Sequence, residues 1–204
     1  MGERCRNALS LDFDRRLKLE FHGTKVTSDA GLLAYRELDE ALGLTTMIGS
    51  DFYDNRRDKN TQHGIIALLR QSIYSRLAGY EDTNDAERLC IDTAKRQVAG
   101  GRATERTDAS TSLMGKFETE ILTQPQNLDL LMNLPGIWVV KVHQRKPLKQ
   151  IVLDMDSSAS PTYGNQEGSA YNGYFECTCY HPLFCFNQFG DVEQALLRNS
   201  NVYS

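Results

Sequence analysis

The stretch "IVLDMDSS", Ile151 to Ser158, decides how the chain is read. Its residues alternate. Ile151, Leu153 and Met155 point one way while Val152, Asp154 and Asp156 point the other, the period-2 pattern of a strand. The reading is a buried strand that ends in two carboxylates on one face, about 6.5 Å apart along the chain. Two carboxylates so close repel each other and call for a cation or a hydrogen-bonded surround. Mg²⁺ or Mn²⁺ is one solution, because hard cations take carboxylate oxygen and keep several waters. Two such ions about 3.5–4 Å apart clamp the attacking and leaving oxygens of a phosphodiester. The plainer solution is that one aspartate caps the loop that follows, through the backbone of Ser157 and Ser158. The spacing alone does not choose between them.

Downstream, "CYHPLFCFNQFGDVEQALLR" reads as two strands joined by a turn at Phe189-Gly190-Asp191. Between it and the aspartates lies "SSASPTYGNQEGSAYNG", whose turn residues predict a loop. Upstream the period is helical from Thr27 to about His143. In "SDAGLLAYRELDEALGL" the stripe is Leu32, Tyr35, Leu38 and Leu42, with Gly43 as the stop. In "TQHGIIALLRQSIYSRLAGY" it is Ile66, Leu69, Ile73 and Leu77, with Thr61 as N-cap and Gly79 just past the end. "TNDAERLCIDTAKRQVAGG" predicts a third helix through Ala86, Leu89, Cys90 and Ala94, closed by Gly100-Gly101. "STSLMGKFETEIL" predicts a fourth on Met114, Phe117 and Ile121. The run from Leu128 to Val142 keeps helical spacing across Pro135-Gly136, which predicts a kink or two short helices. The change of period places a boundary near Lys146. The expected fold class is α+β, with an all-helical domain over residues 1–146 and the first three strands of an α/β domain over 147–204.

The totals bound the function only loosely. The chain has 204 residues, 40% hydrophobic and 25% charged, which is enough for a real core. A net charge of −4 neither favours nor excludes a nucleic-acid partner, since a local basic surface binds phosphate inside an acidic chain. No apolar run approaches the roughly 20 residues of a membrane span, and "MGERCRNALSLDFDRR" lacks the apolar core of a signal peptide. A cytoplasmic protein with no membrane partner is expected. Its five cysteines then read as reduced thiols.

Three further features have a sharp and a plain reading. "KVHQRKPLK" carries Lys141, His143, Arg145, Lys146 and Lys149 without an acidic residue, just before the aspartate strand. It is either a DNA-phosphate contact or a solvated linker. "CTCYHPLFC" offers Cys177, Cys179, His181 and Cys185, but thiols two apart on a strand start about 6.6 Å apart, and strand packing is the plainer role. Gln166 and Glu167 follow the aspartate strand, where shaping the loop is more economical than binding a ligand. Arg56, Arg57 and Lys59 alternate with Asp51, Asp54 and Asp58 in what reads as a solvated loop. Trp138 is expected to anchor the helical half on the sheet.

From Ile151 to Glu193, "IVLDMDSSASPTYGNQEGSAYNGYFECTCYHPLFCFNQFGDVE" resembles the start of the catalytic domain of DDE transposases of bacterial insertion sequences, transposase DDE domain group 1. "VTSDAGLLAYRELDEALGL", "GYEDTNDAERL" and "STSLMGKFETEIL" are similar to segments of the same group, so the resemblance runs from about Asp14 to the last residue. It implies a ribonuclease H-like core in which three acidic residues bind two divalent ions, Mg²⁺ or Mn²⁺. The first acid comes from the first strand, here "IVLDMD": Asp156 is the expected catalytic and metal-binding residue, with Asp154 second to it or beside it. The family's second aspartate and its glutamate lie on later segments, which this sequence does not contain. The ending also departs from the family, with Asn199-Ser200 where a Pro-Gly pair is usual.

The resemblance therefore implies DNA transposition by cutting and joining strands, with terminal inverted repeats as the DNA partner, a transposase dimer, and nucleoid association when bound. For the chain as it stands, a truncated N-terminal part without catalysis of its own is expected. The alternative is a non-catalytic DNA-binding fragment, or an inhibitor of intact transposase. Lys141, Arg145, Lys146 and Lys149 are the expected DNA contacts.

Overall fold

A computed structural model of the chain describes residues 9, 10, 12–14, 18, 19, 29–56, 63–86, 92–100 and 108–202. It is a mixed α+β protein of two compact units, residues 1–127 and 128–204. None of its described helices is long and apolar enough to cross a membrane.

The first unit opens with a short antiparallel pair, β1 (Leu9–Ser10) and β2 (Lys18–Leu19). Helices follow: α1 (Leu32–Leu42), α2 (Leu44–Ile48), α3 (Ile65–Leu77), a 3₁₀ turn (Thr83–Asp85), α4 (Thr93–Ala99) and α5 (Thr111–Lys116), which runs on as one π-helical stretch (Phe117–Ile121). The ends obey capping chemistry. Asp92 accepts from Lys95 N and Ser110 from Leu113 N, while Gly43 (φ 71°) and Gly100 (φ 110°) close α1 and α4 in the left-handed region. The third expected helix is thus divided. Asp82 caps the 3₁₀ turn, Asp92 starts α4 afresh, and Leu89 and Cys90 lie outside the described residues, as does Thr61.

Two expected apolar stripes are corrected. On α1, Tyr35 and Leu38 are exposed, and the buried positions are Leu32, Arg36 and Asp39. On α3, Leu77 is exposed, Ile66 and Ile73 are half-buried, and Leu68, Leu69, Gln71, Ser72 and Tyr74 are buried. Polar partners turn these faces. Asp39 accepts from Thr45 N (2.8 Å), Thr45 Oγ1 (2.6 Å) and Tyr74 Oη (3.3 Å), and lies 3.3 Å from Arg70 Nε. Gln71 accepts from Ala109 N and donates to Ala109 O, both at 2.9 Å. These bonds satisfy buried backbone and hydroxyl groups that an apolar face would leave unpaired. On the fourth segment the expectation is met: Met114, Phe117 and Ile121 are all buried, and Phe117 stacks on Phe52 at 6.5 Å.

Helix α6 (Pro125–His143) begins in the first unit and lies mostly in the second. It is a single helix with Pro135 inside it, not two. The units divide at Asn127–Leu128, some way before the change of period near Lys146. The reason is visible in the contacts of α6. Asn127 donates to Tyr53 O and Ile121 O, whereas Asn133 accepts from Gln194 Nε2, and a Cβ on Gly136 would stand 2.9 Å from Glu193 O.

Among its described residues the second unit holds six strands in two antiparallel sheets, rather than the expected three. They are β3 (Leu153–Ser157), β4 (Ser160–Pro161), β5 (Ala170–Asn172), β6 (Cys177–Tyr180), β7 (Leu183–Asn187) and β8 (Val192–Leu196). One sheet runs β3-β7-β8 and the other β4-β6-β5. The segment from Cys179 to Asn187 is therefore two strands in two sheets. Pro182 lacks the N–H a continuous ladder would need, and the break falls at His181-Pro182. The expected loop after the aspartates likewise contains β4 and β5. The β7–β8 turn falls where the sequence placed it, with Gly190 at φ 84°.

Candidate functional site

Strand β3 is the edge of its sheet, and it is exposed rather than buried: Leu153 is 58% and Met155 70% exposed. The register sets what surrounds the carboxylates. Asp154 is opposite Phe186 and Asp156 opposite Phe184; Phe184 is in turn opposite Ala195. Directly paired residues project from the same face, with Cβ atoms about 4.5–5.5 Å apart. Asp154 and Asp156 therefore stand on one open face beside two phenyl rings, whose centroids are 6.0 Å apart. Asp156 Oδ1 accepts from Ser157 N at 2.8 Å, which is the capping bond of the plainer reading. The carboxylate of Asp154 has no hydrogen bond among the described residues.

The two acids fit a hard divalent cation in donor type. One is unengaged, the other keeps an oxygen free, and both are open to solvent. They amount to half a site, since no group of three or more metal-ligating side chains occurs among the described residues. Two further acids, in the β7–β8 hairpin, are committed elsewhere. Asp191 and Glu193 both accept from Asn187 Nδ2, at 3.0 and 2.8 Å. Asn187 pairs with Leu153, three residues from Asp156 and so about 10 Å along the strand.

The basic segment lies at the C-terminal end of α6. Lys141 is in its last turn, Arg145 and Lys146 follow in a turn, and all three are exposed, as is Lys149. Positive charge there complements the helix dipole whatever else it does. His143 differs, because its ring lies 5.4 Å from that of Phe189 and its Nε2 3.8 Å from Asp191 Oδ2. Gln166 and Glu167 shape their loop through backbone: Gln166 O accepts from Ser169 N and Oγ, and Glu167 O from Tyr180 Oη. Among the cysteines, Cys179 is buried with Sγ 2.8 Å from Ser200 Oγ, while Cys185 belongs to the other sheet. Arg56 is pinned rather than merely solvated, donating to both carboxylate oxygens of Asp54 and to His63 O.

Sequence reasoning missed two features. One is a cavity of about 860 Å³ at the end of β3, lined by residues of the β4-β6-β5 sheet and of the segment after β8. The other is a set of buried ionisable groups in the first unit. Lys95 is 2% exposed; its Nζ donates to Ser75 Oγ at 2.7 Å and sits 4.8 Å from the Tyr80 ring centre. Burial holds its ammonium down to about 8, against the counter-pull of Asp29 and Asp108. Burial also pushes the Asp108 carboxyl up to about 7, with Lys95 opposing. A lysine and an aspartate each look like surface residues in a one-dimensional reading. Only tertiary packing encloses them.

Residues 9–204 match the family model for transposase DDE domain group 1. No curated protein and no solved structure matches the chain.

Proposed function

The chain belongs to the transposase DDE domain group 1 family, and on that premise we propose that it acts in DNA transposition, with residues 147–204 forming the opening of a ribonuclease H-like catalytic domain. The supporting observation is the register that sets Asp154 and Asp156 on one exposed face of the leading strand of the antiparallel β3-β7-β8 sheet. A bound Mg²⁺ or Mn²⁺ supplies Lewis-acid stabilisation to a phosphodiester under attack by water or a 3′-hydroxyl. In this reading Asp156 is the principal metal ligand. Asp154 supplies a second oxygen, and the phenyl rings of Phe184 and Phe186 give both acids a rigid floor. Two carboxylates on one strand hold one ion at most. These 204 residues by themselves then do not cut DNA.

The exposed Lys141, Arg145, Lys146 and Lys149 favour a second reading, a non-catalytic DNA-binding role or inhibition of an intact transposase. On either reading the DNA partner is the terminal inverted repeat of an insertion sequence, met in the cytoplasm at the nucleoid and as a transposase dimer. The test uses the purified chain, Mn²⁺ and a duplex carrying an element end. Binding without cleavage is the expected result. Cleavage that disappears in Asp156→Asn would overturn the claim of inactivity while supporting the site. Failure to bind any duplex would overturn the DNA role itself.

A further inference from the structure

Strand β6 carries two cysteines, Cys177 and Cys179, with one residue between them. Both are free thiols. The register fixes their direction. Cys177 pairs with Asn172 and Cys179 with Ala170 in an unbroken ladder, so both side chains project from one face of the β4-β6-β5 sheet. The thiols also act on each other: burial, and then the neighbouring Cys179 thiol, push the Cys177 thiol above its ordinary value. Their access to solvent differs. Cys179 is wholly buried, whereas Cys177 is only half-buried.

The buried sulfur has a fixed polar neighbour. Ser200, 1% exposed, places its Oγ 2.8 Å from Cys179 Sγ. Ser200 is itself held in place, because its carbonyl accepts from Asn172 Nδ2 at 2.8 Å. A hydroxyl in that position donates to a thiolate as readily as it accepts from a thiol. Packing of small thiols in a strand needs no such group. Two adjoining thiols, a fixed donor behind the inner one and a route in past the outer one are the parts of a ligating site.

Sulfur donors choose a soft ion over Mg²⁺, Mn²⁺ or Ca²⁺, which take oxygen. The number of donors narrows the choice. Structural zinc takes four ligands and iron–sulfur clusters four cysteines, and no group of three or more metal-ligating side chains occurs among the described residues. Spacing points the same way. Side chains two apart on a strand start about 6.6 Å apart. A linear sulfur–ion–sulfur unit spans about 4.6 Å if each bond is about 2.3 Å, as in zinc thiolates. That is wider than the bite of a tetrahedral ion and asks the least convergence of the strand. We propose that Cys177 and Cys179 form a two-coordinate site for a soft monovalent ion of the Cu(I) class, with Ser200 donating a hydrogen bond to the Cys179 thiolate. Each S–H gives its proton to solvent and each sulfur forms one bond to the ion. No electron moves, and the bound unit carries one negative charge, which the Ser200 hydroxyl stabilises on the buried side. The site stands apart from the DNA role proposed above.

The experiment uses the full chain and Cu(I) in anaerobic buffer, with the chromophoric chelator bicinchoninate as competitor, so that single thiols do not hold the ion. The expected result is withdrawal of one Cu(I) per chain. Cys177→Ser, at a half-buried position where the fold tolerates a hydroxyl, is expected to abolish it, while Cys5→Ser, Cys90→Ser and Cys185→Ser each retain it. Ser200→Ala should keep the stoichiometry and lose about 10- to 100-fold in affinity. Cu(I) should also raise the urea midpoint, because the site belongs to the folded chain. No withdrawal of Cu(I), or withdrawal undiminished in Cys177→Ser, overturns the site. A midpoint lowered by Cu(I) overturns it too, by assigning the ion to thiols of the unfolded chain. Zn²⁺ held as tightly as Cu(I) overturns the two-coordinate assignment.

Discussion

Asp156 faces Phe184 directly across the β3–β7 pair, as Asp154 faces Phe186 two residues away. A carboxylate set beside a phenyl ring on an open sheet face gains little for stability. Only Asp156 has a bond to lose, to Ser157 N. Charge neutralisation is therefore expected to be nearly silent in stability while removing metal affinity. Asp154→Asn should change unfolding free energy by no more than about 0.5 kcal/mol, with any gain fading in salt as repulsion is screened. Phe184→Ala, in contrast, should cost about 1–2 kcal/mol, since the ring is half-buried in the middle strand. Urea midpoints compare the two. A drop above 1 kcal/mol for Asp154→Asn would make the residue structural and count against the metal reading.

Asp39 is the load carrier of the first unit. It lies 5% exposed among Arg36, Arg70, Thr45 and Tyr74, and it answers a backbone N–H, two hydroxyls and a guanidinium at once. Removing one member of a buried charged network leaves the others desolvated, at a cost of about 3–5 kcal/mol. Asp39→Ala is expected to fall in that range. Thr45→Val, which removes one hydroxyl and keeps its shape, should cost about 1–2 kcal/mol. Equal losses in the two variants would show that Arg36 and Arg70 find other partners, Glu40 foremost for Arg36.

What the sequence could disclose follows from the same residues. Helix ends were legible because Gly43, Gly79 and Gly100 mark positive φ by local chemistry, and Met114, Phe117 and Ile121 were legible because nothing polar competes for their face. The faces of α1 and α3 were not. Their burial is decided by Asp39 and Gln71, whose partners Thr45, Arg70 and Ala109 are brought to them only by the fold. The aspartate strand was read correctly in alternation and wrongly in burial. An apolar run signals a strand with something to cover it, and says nothing of whether the cover is among the residues at hand. The cavity was illegible for a related reason: Ser157, Tyr174, His181 and Ser200 meet only once Pro182 has sent β6 and β7 into different sheets.

The buried pair Asp108 and Lys95 gives the protein a pH profile. In Asp108 the folded value, about 7, lies above the 3.8 of the free acid. Between these the native state holds a proton that the unfolded chain has released, so stability falls as pH rises from about 4 to 7. Asp29, raised first by burial and then by Asp92, adds to that fall. In Lys95 the folded value, about 8, lies below the ordinary 10.5. There the unfolded chain holds the extra proton, and this residue adds stability as pH rises from about 8 to 10.5. A shallow minimum between pH 7 and 8 is expected from urea midpoints taken at about pH 5, 7.5 and 9.5. Asp108→Asn should flatten the acid arm and Lys95→Met the alkaline one. A wild-type midpoint that climbs steadily from pH 5 to 7.5 would rule the assignment out.

The basic segment at the end of α6 makes its own demand on DNA binding. Lys141, Arg145, Lys146 and Lys149 are exposed, and their charge is explained in part by the helix end they follow. If that were the whole explanation, their removal would leave DNA affinity and its salt dependence alone. Each lysine or arginine that neutralises a phosphate instead contributes about −0.9 to the slope of log K against log salt. Replacing all four by glutamine is therefore expected to make the slope shallower by about 2 to 4. The loss should be the same on duplexes of any sequence, because phosphate contacts position a protein without reading bases. Lys116→Gln, on an exposed residue in the first unit, serves as the comparison and should shift the slope by less than about one contact. A slope unchanged by the fourfold replacement would reduce the segment to a solvated helix end. The DNA contact would then have to be sought on another face of the chain.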